Sequence, residues 1–318
     1  MNNNCKPYTR FKHAENISDD FLLNILEINM KLFFDWSFLC IGAWFDADIN
    51  DKNMYGVNQH SALVPVSDHS YDSGQVWQSI RKDWVWETGV LFNDTNPTPI
   101  TGIYIDDVYY PNNQSTYTIN YPEGRIIFDS AKSTTSNIKL NYSYRNIQTY
   151  RASDSPWFNV LQYNSFDTSS PDITRTEDGD WSISGNHRVQ LPAIIIEAVA
   201  RSRSYPYELG NNDIVINQDI EFYVLAETKN ERNKILDILR LQQDLVFLLY
   251  DTNTLSQNDQ YPLDHNGNLK SNPQMYPGIV DNYTWRKAWI KEISLFELES
   301  VNPNFHMGMA KATIEIIS

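Results

Sequence analysis

Residues 191–200, LPAIIIEAVA, form an almost unbroken apolar run. A strand that does not alternate must be covered on both faces. Any fold for this chain therefore needs a layer on each side of one central strand. Residues 214–226 behave differently. Ile214, Ile216, Ile220, Phe222 and Val224 fall on one side, and Asn217, Asp219 and Glu221 fall on the other. This is the pattern of a strand with one wet face. Thr228 and Glu231 make a capping box that opens a helix to about residue 242. Ile235, Ile238 and Leu239 lie on its buried stripe. LVFLLY at 245–250 reads as a further buried strand, and two more strands are expected near 288–299 and 308–317.

The N-terminal region supplies a helix near 19–34. Ser18 suits its N-cap, Asp19 and Asp20 suit the positive end of the dipole, and Ile17 and Leu22 sit at the staple positions. Phe21, Leu22, Ile25, Leu26, Ile28, Leu32 and Phe33 form its apolar stripe. The bulky run 34–47 that follows is expected to be a buried strand or a packed turn. Residues 46–70 are polar and irregular. From about 75 to 150 the pattern is β throughout. Ile103 to Val108 alternate. Tyr117–Tyr121 and Arg125–Phe128 flank Pro122-Glu123-Gly124 as strand, tight turn and strand, and 138–144 alternate as one strand. Residues 164–187 read as a connecting loop. Residues 251–287 form a long polar loop, and loops of this length inside a compact domain usually have a task.

The length of 318 residues suggests about two domains. The expected fold class is α+β and β-rich, a small mixed sheet with two helices that carries an inserted all-β module. The expected division is an α+β domain from 1–60 and 160–318, with the module at 61–159. No internal repeat is present.

Hydrophobic residues at 41% and charged residues at 20% fit a folded chain rather than a disordered one. The net charge of -15 argues against a duplex binder, which needs clustered cations to displace counterions. Arg201 and Arg203 are the one tight basic pair. Cys5 and Cys40 suggest no disulfide framework. The opening MNNNCKPYTR has no apolar stretch of a secretory signal, and no run is long enough to span a bilayer, so no membrane partner is expected.

The motifs of common chemistry are missing from the sequence. No phosphate-cradling glycine loop, nucleophile elbow, H-E-x-x-H or C-x-x-C occurs. His13, His60, His69, His187, His265 and His306 are scattered. Asp46–Asp51 begins like a calcium loop but lacks the glycine and the final glutamate. Glu177, Asp178 and Asp180 form an acidic loop cluster. Paired carboxylates of this kind serve glycoside hydrolysis only at a defined separation, and a solvated loop is the simpler reading. No catalytic, cofactor or metal residue is therefore expected.

Two aromatic clusters remain. In Asp83-Trp84-Val85-Trp86-Glu87 the tryptophans either fill the core of the module or, with Trp77, present a face to a sugar or a protein. Tyr205 and Tyr207 flank Pro206 between two strands, as a packed turn or as a tip that touches a neighbour.

The stretches 191–251, 33–44 (FFDWSFLCIGAW) and 109–130 (YYPNNQSTYTINYPEGRIIFDS), in this α+β order, resemble the tail-terminator and tail-completion proteins of tailed bacteriophages. The resemblance covers about half the chain and supplies no catalytic residues. It implies a structural virion protein that assembles in the host cytoplasm into a ring, commonly a hexamer. Its partners would be copies of itself and the neighbouring neck, tail-tube or sheath proteins, with DNA at most passing through a channel. It makes Arg201, Arg203, Tyr205, Tyr207, Trp84 and Trp86 candidates for subunit contacts. Asn217, Asp219 and Glu221 become candidates for a channel wall that repels DNA. A baseplate or fibre-adaptor module that binds carbohydrate is the other reading.

Overall fold

The central strand is where the sequence puts it. A computed structural model of the chain describes residues 19–50, 60–112, 116–164, 173–176, 180–183, 187–207, 214–252, 255, 261–298 and 303–317. In chain order, α1 (Asp19–Cys40) precedes β1 (Trp44–Ala47), β2 (Ala62–Pro65), β3 (Val76–Ser79), β4 (Gly102–Ile105) and β5 (Val108–Pro111). Then come β6 (Tyr117–Asn120), β7 (Arg125–Phe128), β8 (Ile138–Lys139), β9 (Tyr142–Arg145) and β10 (Gln148–Arg151). A short 3-10 turn leads to α2 (Pro156–Asn164), β11 (Ile173–Arg175), β12 (Trp181–Ile183), β13 (His187–Val189), β14 (Ala193–Pro206) and β15 (Ile214–Ala226). The last elements are α3 (Lys229–Arg240), β16 (Val246–Tyr250), α4 (Gly278–Asn282), β17 (Thr284–Glu297) and β18 (His306–Ile317). The class is α+β and strand-rich.

Six strands make the main sheet in the order β10-β14-β15-β18-β17-β16, mixed because β10 runs parallel to β14. Ile194 and Ile196 of β14 face α1 and α3, where Phe222, Val224, Ala312 and Ile314 meet Leu26, Met30, Phe34, Ile235 and Leu239. Ala193 and Ile195 face the other way, onto Trp157, Phe158 and Leu161 of α2 and onto Trp181, Ile183 and Val189. Both faces of the central strand are thus covered. Thr228 caps α3, its side chain accepting from the Glu231 N–H at 3.2 Å.

The second body is a seven-stranded antiparallel sheet, β5-β4-β8-β2-β3-β7-β6. Its core holds Trp77, Trp84, Ile103, Ile126, Phe128 and Tyr142. It is not closed by residues 61–159 alone. Leu32 of α1 and Tyr250, Leu255, Leu263, Ile279 and Val280 from the 250–280 region share that core. The long loop packs against this module. β10, which falls inside 61–159, belongs to the main sheet.

Several local readings need correction. The run 34–47 continues α1 to Cys40 before turning into β1, because Phe34, Phe38 and Leu39 keep helical spacing and are buried. Residues 103–108 are two strands. Asp106 and Asp107 adopt φ of 49° and 66° and reverse the chain, as a two-residue hairpin turn requires. Residues 138–144 belong to two sheets, β8 to the seven-stranded one and β9 to a pair with β1. Within 164–187 lie β11, β12 and the start of β13, a three-stranded sheet. Helix α2 lies where the sequence pattern gives no expectation of a helix. Ser18 and Ile17 lie outside the described residues.

α1 is buried on more than one side. Leu26, Met30 and Phe34 meet the main sheet, Leu32 enters the module, and Leu39 packs on Val85 and Val90. Asn29 is also buried, and its amide serves as a strand partner. Its Nδ2 donates to the Tyr250 carbonyl and its Oδ1 accepts from the Tyr250 N–H, each at 3.0 Å. It thereby satisfies the backbone of β16 at its end. Among the described residues no helix is long and apolar enough to cross a membrane.

Replacing Asn29 by Leu removes both hydrogen bonds that its amide makes to the Tyr250 backbone, so urea denaturation should show a loss of about 1–3 kcal/mol. The tyrosines give a pH test. Burial pushes the Tyr121 and Tyr276 phenols up to about 12 from an ordinary 10.0. A phenol raised in the folded state contributes its full stability below the unfolded pKa and loses it as pH rises through the folded one. Stability should therefore fall between pH 10 and 12. Phenolate absorbance at these positions should develop together with unfolding, and early ionisation in the folded protein would contradict this.

Candidate functional site

The residues singled out from sequence fall in two places. Trp84 is 0% and Trp86 6% exposed. The Trp84 indole N–H donates to the Arg81 carbonyl at 2.9 Å, and Trp77, 1% exposed, donates to the Gly74 carbonyl at 2.9 Å. These rings fill the core. Trp77 and Trp84 offer no face to a sugar, and neither Trp84 nor Trp86 offers one to a second subunit, which corrects the assignment of these two as contact residues.

Their acidic neighbours matter instead. Arg145, at the end of β9, lies 3.5 Å from the Asp83 carboxylate and 3.9 Å from that of Asp35, and hydrogen-bonds Glu87. It also donates to the Trp84 carbonyl at 3.1 Å. Lys31, one helical turn before Asp35, bonds it at 2.7 Å and donates to the Thr149 carbonyl at 3.0 Å. Burial opposes the charge of Arg145, but Glu87, Asp83 and Asp35 together raise its pKa. Burial likewise opposes the charge on Lys31, and Asp35, Tyr261 and Asp83 together raise its pKa all the same. Burial pushes the Glu87 and Asp83 carboxyls up against the pull of Arg145. The cluster joins α1, the 83–87 segment and β9–β10.

On the main sheet, β14 outruns β10, which pairs only with Ala193–Ile196. Likewise β16 pairs with β17 only as far as Trp289. Among the described residues, the outer edges of 198–206 and 291–297 therefore have no strand partner. The register places them at diagonally opposite corners, since Pro206 lies opposite Ile214 and Glu297 opposite Gly308. Arg203, Tyr205 and Tyr207 are exposed at the first corner. The side chain of Arg201 lies outside the described residues. Glu292, Leu295, Phe296 and Glu297 are exposed at the second.

Asn217, Asp219 and Glu221 do share the outer face of β15, half-buried. They are not a bare acidic stripe. Lys311 Nζ lies 3.0 Å from Asp219 and 3.7 Å from Glu221, and the Thr313 hydroxyl donates to Asp219 at 3.1 Å. The cross-strand cation that offsets part of their charge comes from β18, which the alternation of β15 alone does not reveal.

A cleft that the sequence reading missed lies between α1, the β6–β7 turn, β10 and the 261–270 segment. It encloses about 710 Å3. Ile28, Trp86, Tyr150, Tyr261 and Leu263 line it among polar groups. The 261–270 wall is held by the Tyr121 N–H, which donates to the Gly267 carbonyl at 3.1 Å. Gly267 has φ of 79°, and a Cβ there would meet the Asn120 side chain at 2.6 Å. The only forewarning was the length of the loop. Asp180, from the acidic loop, is buried and holds Arg188 and Gln190, while 177–179 lie outside the described residues. Asp46 accepts from Ser143, and Asp48 from the Asn50 N–H. Among the described residues no group of three or more His, Cys, Asp or Glu is arranged to hold a metal.

No family model, curated protein or solved structure matches the chain.

Arg145→Ala leaves Glu87 buried without its cation and Asp35 with Lys31 alone, and should cost about 3–5 kcal/mol in chemical denaturation. Arg145→Lys should recover little, because an ammonium cannot address three carboxylates as a planar fork does. Adding Glu87→Gln to Arg145→Ala should recover part of the loss. An unchanged melting curve for Arg145→Ala would count against the cluster as a structural tie.

Proposed function

We propose that this chain is a structural, self-assembling protein of a tailed-bacteriophage particle, a ring component of the neck or tail terminator. One observation carries the assembly reading: two open strand edges stand at opposite corners of a single sheet. An exposed edge is a template for pairing, and folded proteins cover or blunt those that are not used. Here both edges carry exposed aromatic or apolar side chains. One corner offers Arg203 and the other Lys291 and Glu292, all on the same side of the sheet. In the sheet β14 and β17 run in opposite directions, so the β14 edge of one copy meets the β17 edge of the next in antiparallel register. Such a head-to-tail contact uses two different patches, and closes a ring where its rotation permits.

The phage class rests on the sequence resemblance, which also supplies the hexamer and the neck, tube or sheath neighbours. The residues at the corners include Arg203, Tyr205 and Tyr207, named from sequence. The half-buried face with Asn217, Asp219, Glu221 and Lys311 would then lie along the sheet of the ring, its acidity reduced by Lys311.

Light scattering and electron microscopy on the purified protein should show closed rings. Tyr205→Glu and Phe296→Glu should each give smaller species without loss of thermal stability. A mixture of the two retains one intact edge on each partner and should form dimers but no rings. A wild-type monomer at every concentration, or absence of the protein from purified virions, would refute the reading.

A further inference from the structure

We propose that the cleft between α1 and the 261–270 segment binds a neutral polyhydroxy molecule, a carbohydrate of about two to three sugar rings. The inference does not depend on ring assembly.

Size gives the first argument. A cleft of about 710 Å3 is in the range that receives a small organic ligand. Charge gives the second. Four cations line it, Lys31, Lys82, Arg151 and Lys270, and so do four acids, Asp83, Glu123, Asp154 and Asp264. The cations are already engaged. Lys31 holds Asp35 and Thr149, and Lys82 holds Glu123 at 3.3 Å and the Arg188 carbonyl at 3.0 Å. Arg151 clasps Asp154 at 2.7 and 2.8 Å, and Lys270 donates to the Tyr261 carbonyl at 2.6 Å. A phosphate or carboxylate ligand would have to compete with Asp35, Glu123 or Asp154 for Lys31, Lys82 or Arg151, would find only Lys270 without a carboxylate partner among the described residues, and would meet as many acids as bases.

Apart from the remaining N–H donors of Lys270, the hydrogen-bonding groups left over are neutral. Among the described residues the Tyr261 hydroxyl and the Asn266 side-chain amide have no partner, and His265 is exposed on the rim. A purely apolar guest would leave these groups without the hydrogen bonds that water gives them, at a cost. The half-buried rings of Tyr150 and Tyr261 add aromatic surface beside them. Donors and acceptors without net charge, set among aromatic rings, match a molecule whose faces are C–H and whose rim is hydroxyl. This site differs from the tryptophan platform considered from sequence, since the ring of Trp86 is buried and the Arg145 guanidinium lies 5.7 Å over it.

The test is titration calorimetry of the full chain with maltose, cellobiose, lactose, N,N′-diacetylchitobiose and maltotriose, with inorganic phosphate as a separate arm. At least one sugar should bind saturably, and phosphate should neither bind nor compete. Tyr261→Phe removes a hydroxyl that the fold does not use, so it should weaken binding about tenfold with an unchanged melting temperature. Asn266→Ala should also weaken it, and Tyr205→Glu, on the main sheet, should not. Failure of all five sugars to saturate, phosphate competition, or binding indifferent to both Tyr261→Phe and Asn266→Ala would overturn the proposal. Rings that take up no sugar would overturn this inference alone. Sugar binding by a monomer would overturn the assembly reading alone.

Discussion

The structure depends on a helix that has no free side to spare. α1 supplies side chains to the core of the main sheet, to the module and to the small cluster around Val85 and Val90. Its polar residues are spent in the same way. Asn29 completes the backbone of Tyr250, and Lys31 and Asp35 reach Thr149 and Arg145. Apolar contacts tolerate sliding, whereas a buried amide or ion pair is satisfied at one register and costly elsewhere. The helix therefore fixes the two sheets against each other by chemistry as well as by volume. The cleft lies along one consequence of this arrangement, since Ile28 and Lys31 form part of its lining.

Where local pattern and burial agree, the sequence was legible. β14, β15, α3 and the β6–β7 hairpin appear with their expected partners because each has a period or a cap that admits one reading. The failures share a cause. Cys40 ends a helix whose last turns carry Phe34, Trp36 and Phe38, and bulky residues suit a strand equally well until a second layer decides. Asp106 and Asp107 continue an alternation that their positive φ breaks. β11 to β13 are three residues each, too short for any period, and they exist because Trp181, Ile183 and Val189 cover the second face of β14. The need for that cover was readable, but its source was not.

The sites were less legible than the fold. Tyr205, Tyr207 and Arg203 stand exposed, as a tip between two strands suggests. Trp84 and Trp86 do not, because the acids on either side of them mark a buried guanidinium rather than a wet surface. The partner of Glu87 is 58 positions away in Arg145, and such pairings leave no local trace. The same holds for Lys311 beside Asp219. Charge in this chain reads as surface charge only until the sheet brings its complement alongside.

The balance of forces bears on how copies of such a chain would meet. With a net charge of -15, two copies repel at long range. At physiological ionic strength that repulsion is screened over about 8 Å, while strand pairing acts at about 4.7–4.9 Å. Attraction and repulsion are thus separated by distance, and association is decided by what the first contact places together. Most faces would oppose acid to acid. The two open corners are the exception in composition, with Arg203 beside tyrosines at one and Leu295 and Phe296 beside Glu292 at the other. A contact between unlike corners would bring Arg203 to an edge that carries Lys291, Glu292 and Glu297, and would place the apolar side chains of both corners together. In the assembly proposed above, a contact of this kind joins two different patches and would be head-to-tail rather than two-fold.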